Sequence, residues 1–128
     1  MEIEWNTNYI DPQNLINISR GDKNRMERYL RQFKELIPTR VEDLKKYMRD
    51  NDRKRIRQTL HQMSPQLQFF GIQNVVEPIR RLEFEYQTIP LDDLKILING
   101  ILEKLDGACR EVDSIIEKNF GERTNPQK

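Results

Sequence analysis

The stretch from about Leu91 to Phe120 places apolar side chains at Leu94, Ile98, Ile101, Leu105, Ala108, Val112 and Ile115. Steps of four and three recur without a break, the repeat of an α-helix that buries one narrow stripe. A helix of that length cannot bury its stripe alone, so the rest of the chain must supply matching faces. It does so three more times. Met26, Leu30, Phe33, Ile37, Val41, Leu44 and Met48 form one stripe, and Ile56, Leu60, Met63, Leu67 and Phe70 form the next. Ile72, Val75, Val76, Ile79, Leu82 and Tyr86 complete the set. No segment alternates at period two, so the fold class is all-α.

Turn residues mark the boundaries. Asp11-Pro12 reads as a cap followed by proline in the first helical position, opening a short helix that ends at Gly21. Asp22 caps the second segment, and Asn51-Asp52 closes it and caps the third. Pro38 lies inside the second stripe, which keeps its phase across it, so a kink is expected rather than a break. Gly71 stops the third helix, Thr88-Ile89-Pro90 turns into the last, and Gly121 ends it. Short connections between amphipathic helices predict an antiparallel up-down four-helix bundle with a short extra N-terminal helix. The long last helix is expected to project beyond it. Residues 1–128 read as one domain, with the bundle over about 9–120 and a flexible polar tail over 122–128.

The composition excludes several classes of function. One cysteine, Cys109, rules out an internal disulfide, and one histidine, His61, rules out a multi-histidine metal centre. Five glycines leave no Gly-rich phosphate loop, and no cofactor is expected. Charged residues make up 34% of the chain, but 22 basic side chains face 21 acidic ones. That balance argues against nucleic-acid binding, even with the run Arg53-Lys54-Arg55-Ile56-Arg57. No apolar run approaches the roughly 18 residues that span a bilayer, so no membrane is expected. The acidic opening Met1-Glu2-Ile3-Glu4 is unlike a secretory signal, and a cytoplasmic location is expected. The initiating Met1 suits a free-standing protein, with excision from a larger hybrid kinase as the other possibility.

Helix geometry tells where His61 points. At about 100° per residue, the buried stripe of the third helix centres more than about 100° away from it. On its own face stand Lys54, Arg57, Gln58, Ser64, Pro65 and Gln68, all polar except the proline. His61 should therefore stand in solvent on a rigid helix. Such a histidine is either ordinary surface or a nucleophile that can carry a phosphoryl group. Phe69 lies next to the stripe residue Phe70, displaced toward the histidine. It is either a docking aromatic or packed on the fourth helix.

From His61 the chain reads His-Gln-Met-Ser-Pro-Gln-Leu-Gln-Phe-Phe-Gly-Ile. This resembles the histidine-containing phosphotransfer (HPt) domains of two-component phosphorelays. Their motif has an aliphatic residue two positions after the histidine, lysine at three, usually glycine at four, and glycine at ten. Met63 and Gly71 match. So do the polar turn Arg49-Asp50-Asn51-Asp52 before the histidine helix, the stretch Arg81-Leu82-Glu83 after it, and Pro38 in the long second helix. The resemblance runs from about Tyr9 to Ile116. Ser64 and Pro65 depart from it, standing where the family has lysine and glycine.

The resemblance implies a phosphoryl carrier without turnover of its own. His61 would accept the group from the aspartate of a response-regulator receiver domain and pass it to another receiver. The partners are then receivers, which bring Mg²⁺, and a hybrid histidine kinase. Glu83 stands where the family has Gln or Glu accepting from the histidine Nδ1–H, which leaves Nε2 to attack. Its alternative is an exposed glutamate paired with Arg80 or Arg57. Arg57 or Lys54 could supply the charge that Ser64 lacks; Pro65, Gln68 and Gly71 support the site, and Gln58 and Phe69 would meet the partner. The competing reading is a degenerate HPt-like domain that binds a receiver or another signalling protein without carrying phosphate.

Overall fold

A computed structural model describes residues 3–121 of the chain. They form five helices, α1 (Gln13–Ser19), α2 (Lys23–Arg49), α3 (Arg53–Phe69), α4 (Val76–Glu85) and α5 (Leu91–Phe120), with no strand among the described residues. The all-α expectation holds. The tail expected over 122–128 lies outside the described residues.

Aspartates open two of the long helices. The Asp22 Oδ1 accepts from the backbone N–H groups of Asn24 and Arg25 at 2.9 and 3.3 Å. The Asp52 Oδ1 accepts from that of Arg55 at 3.1 Å. Each carboxylate satisfies donors that a helix start leaves without partners. Asp11 does the same for Gln13 at 3.1 Å. However, α1 begins one residue later than expected, because Pro12, at ψ 6°, sits just outside regular helical geometry. Both α2 and α3 continue through their prolines, Pro38 and Pro65.

The fourth helix starts at Val76 rather than at Ile72. Gly71 and Asn74, at φ 60° and 65°, turn the chain between α3 and α4. Ile72 and Val75 are buried all the same, but from a turn. Pro78 consequently falls in the first turn of α4, where its missing N–H is one the helix does not use.

The stripes meet in one core. Leu30, Phe33, Leu60, Leu67, Leu82, Ile98 and Leu105 are all buried, while Val41 and Met48 pack at its edge. Three pairs of contacting helices run in opposite directions, as the order of their contacts shows. Between α2 and α3, Phe33 stacks on Phe70 at 4.5 Å while Arg55 lies over Tyr47. Between α2 and α5, Lys23 lies over Phe120 and Lys34 pairs with Asp113. The α3–α4 pair does the same, as described below.

The last helix does not project. Val112, Ile115 and Ile116 are buried near its end, where the N-terminal segment crosses it. The Glu111 carboxylate accepts from the backbone N–H groups of Asn8, Tyr9 and Ile10. The Tyr9 ring lies so close to Gly107 that an added Cβ would stand 2.5 Å from it. Trp5, half-buried, packs against the same core.

Candidate functional site

The core sets the rotation of α3 and, through it, the direction of His61. Leu60 and Met63 are fully buried, and His61 stands roughly 100° round the helix from Leu60. Its side chain is 69% exposed. The imidazole is not loose, because its Nδ1 lies 2.6 Å from Oε2 of Glu83 on α4. An ionised carboxylate can only accept, so Nδ1 carries the hydrogen and donates it. In the neutral ring Nε2 then keeps its lone pair. Glu83 is the less exposed partner, at 28%. The possible pairings of Glu83 with Arg80 or Arg57 are not made; Arg80 pairs with Glu77 instead.

Two further rungs hold α4 beside α3. One turn before His61, the Arg57 guanidinium lies over the Tyr86 ring, 5.3 Å from its centroid. One turn earlier still, Arg53 Nη1 donates to the backbone carbonyls of Tyr86 and Ile89. These carbonyls close the end of α4, where helical partners run out. Rungs 53–89, 57–86 and 61–83 therefore fix the register that puts Glu83 beneath His61.

The other candidates divide. Ser64 is half-buried, and its Oγ accepts from Gln68 Nε2 at 3.3 Å. Lys54, Gln58, Pro65 and Gln68 share the exposed face of His61. Pro65 has no N–H, so the His61 carbonyl lacks its usual helical donor. Gly71 stands apart from the site. Its positive φ ends α3, and Asp11 packs so closely against it that an added Cβ would meet the Asp11 Cβ at 2.7 Å. Phe69 is half-buried, with its ring 5.3 Å from that of Tyr29 on α2.

Tyr86 and Arg53 belong to the site's support and were not singled out by sequence. Tyr86 read as the end of a core stripe, and Arg53 as part of a charge run. The exposed aromatic near the site is Phe84, beside Glu83 and 83% exposed. Its only sequence signal is that it falls between the stripe positions Leu82 and Tyr86.

The site is a helix face rather than a cleft. A groove of about 490 Å³ lies between Leu36, Thr39 and Gln66, and another of about 420 Å³ between Pro38, Leu102 and Cys109. His61 lines neither. Comparison with protein families, curated proteins and solved structures finds no match to this chain. No helix among the described residues is long and apolar enough to cross a membrane.

Proposed function

We propose that this chain is a histidine phosphotransfer protein whose helices α2 to α5 form an antiparallel four-helix bundle carrying His61 on its surface. The observation that carries the reading is the exposed imidazole whose Nδ1–H is engaged by Glu83, with Nε2 free. An imidazole in that tautomer is a nucleophile whose orientation is already set. Small-molecule substrates are ordinarily enclosed in concave pockets. An outward-facing ring on a helix suits a partner that brings its own reaction centre.

In the proposed reaction, a receiver brings an aspartyl phosphate and its Mg²⁺ to the His61 face. Nε2 attacks phosphorus in line, the bond to the aspartyl oxygen breaks, and the aspartate leaves as carboxylate. The ring becomes a cation, which the Glu83 carboxylate opposite Nδ1–H stabilises. The reverse steps load a second receiver. This chain contributes the nucleophile and its orientation. Specificity and metal chemistry belong to the receiver.

Ser64 favours the competing reading of a receiver-binding module that carries no phosphate, because a neutral hydroxyl stands where a lysine would face the phosphoryl group. Incubation with a panel of phosphorylated receiver domains separates the two readings. Acid-labile, base-stable phosphate on His61 is the expected result. Receiver binding without label would leave the module reading in its place.

A further inference from the structure

Arg57 has an unsatisfied donor beside the proposed phosphorylation site. It is half-buried, and its Nε is closed off from solvent with no hydrogen-bond partner. None of the ion pairs among the described residues includes it. A guanidinium N–H withdrawn from water without an acceptor is unfavourable. Its visible stabilisation is the face of the Tyr86 ring. That contact holds the side chain and leaves a planar fork of donors without an acceptor, the arrangement that binds an oxyanion through two parallel bonds.

We propose that Arg57 is the cation that holds the phosphoryl group on His61, with Tyr86 as its positioning residue. The assignment rests on the phosphocarrier reading and supplies the charge that position 64 lacks. Arg57 precedes His61 by one turn and lies about 40° round the helix, with Cβ atoms separated by about 6 Å. A phosphoryl group on Nε2 carries nearly two negative charges. Rotation about the outer torsions of Arg57 turns its terminal amines from the face of the Tyr86 ring toward that group. Lys54 lies a further turn away, exposed and without an ion-pair partner among the described residues. A lysine is a flexible, strongly hydrated point charge, so it is less prepared for the task.

The test uses phosphoramidate, which needs no receiver. Nε2 attacks its phosphorus, the P–N bond breaks and ammonia leaves, while Nδ1–H stays on Glu83. Phosphohistidine formation and hydrolysis are followed by ³¹P NMR for the wild type, Arg57→Gln, Arg57→Lys, Tyr86→Leu and Lys54→Gln, with a melting curve for each. Arg57→Gln should slow labelling or hasten hydrolysis by about tenfold, with Arg57→Lys recovering part of the loss. Tyr86→Leu should give a smaller loss in the same direction at unchanged helicity. High salt should narrow the gap between wild type and Arg57→Gln. Equal kinetics for wild type and Arg57→Gln, or a larger loss from Lys54→Gln, would overturn the assignment and leave the phosphocarrier reading intact. A wild type that takes label neither from phosphoramidate nor from any receiver overturns both.

Discussion

The Glu83 carboxylate holds the Nδ1 of His61 at 2.6 Å, across the seam between α4 and α3. The pair links two helices and selects one tautomer of an exposed ring. Replacing Glu83 with alanine should release both constraints. ¹⁵N NMR should then show His61 changing from mainly Nδ1–H to a mixture dominated by Nε2–H, the form preferred by a free imidazole. Phosphorylation should slow by about tenfold or more, with receiver affinity nearly kept. An unchanged tautomer ratio would reduce Glu83 to surface charge.

His61 is 69% exposed and is not a member of the buried core, and this separates its chemistry from the fold. His61→Gln should leave the melting curve within the narrow range typical of surface substitutions, about 0.5 kcal/mol. Acid-labile phosphate should disappear. Label that persists in this variant would place the acceptor elsewhere and refute the assignment.

The direction of His61 was legible because the stripe Ile56, Leu60, Met63, Leu67 and Phe70 fixes the rotation of α3, and every member is buried. Glu83 was legible only through the resemblance, since no helical periodicity connects residues on different helices. The same limit explains Phe69, Arg57 and Arg53. About 80° from His61, Phe69 turns toward α2, whereas Arg57 lies about 40° away on the opposite side, toward α4. Which neighbour occupies which side is set by the arrangement of the helices, and that is not written in one stripe. The start of α4 is hidden in the sequence for another reason. Ile72 and Val75 serve the core from a turn made by left-handed backbone at Gly71 and Asn74, and apolarity alone does not distinguish turn from helix.

Glu111 anchors the N-terminal segment by accepting three successive backbone N–H groups, from Asn8, Tyr9 and Ile10. Glu111→Ala would leave those donors without their acceptor at a partly buried place, a loss of about 1–3 kcal/mol. The melting temperature should fall, and amide exchange should quicken first at Tyr9 and Ile10. Because His61 lies on a different helix, phosphorylation under folding conditions should not change. Uniform loss of protection throughout the chain would mean that the segment is integral to the core rather than fastened over it.

Cys109 should be a slow thiol. Burial, followed by the nearby Asp113 and Asp106 carboxylates, pushes its pKa up from 9.0 to about 11. The thiolate is the reactive form, so alkylation at pH 8 should be well below that of the unfolded chain. The folded state holds this proton more tightly than the unfolded state. Its contribution to stability is therefore complete below about pH 9 and is lost as pH rises toward 11. Cys109→Ser should flatten that part of the stability–pH curve. If the native thiol reacts as fast as the unfolded one, the packing around Cys109 is looser than described.

Ser64 tests whether the departure from the HPt motif changes the energetics of the proposed carrier. It lies three residues after His61, within about 60° on the same helix and on the α4 side. Its hydroxyl is occupied by Gln68. Lysine at this position would free Gln68, extend to the phosphoryl oxygens and add one positive charge next to about two negative ones. Water screens the site, so the gain should be on the order of 1 kcal/mol, or about fivefold in equilibrium. Ser64→Lys should thus move phosphate from receiver to His61, by less as salt rises. The size of the shift also depends on Arg57. If Arg57 already binds the phosphoryl group, the added lysine meets an oxyanion that is partly neutralised, and its gain in the wild-type background should be smaller than in Arg57→Gln. Equal gains in the two backgrounds, measured as a double-mutant cycle, would show that positions 57 and 64 do not share a ligand.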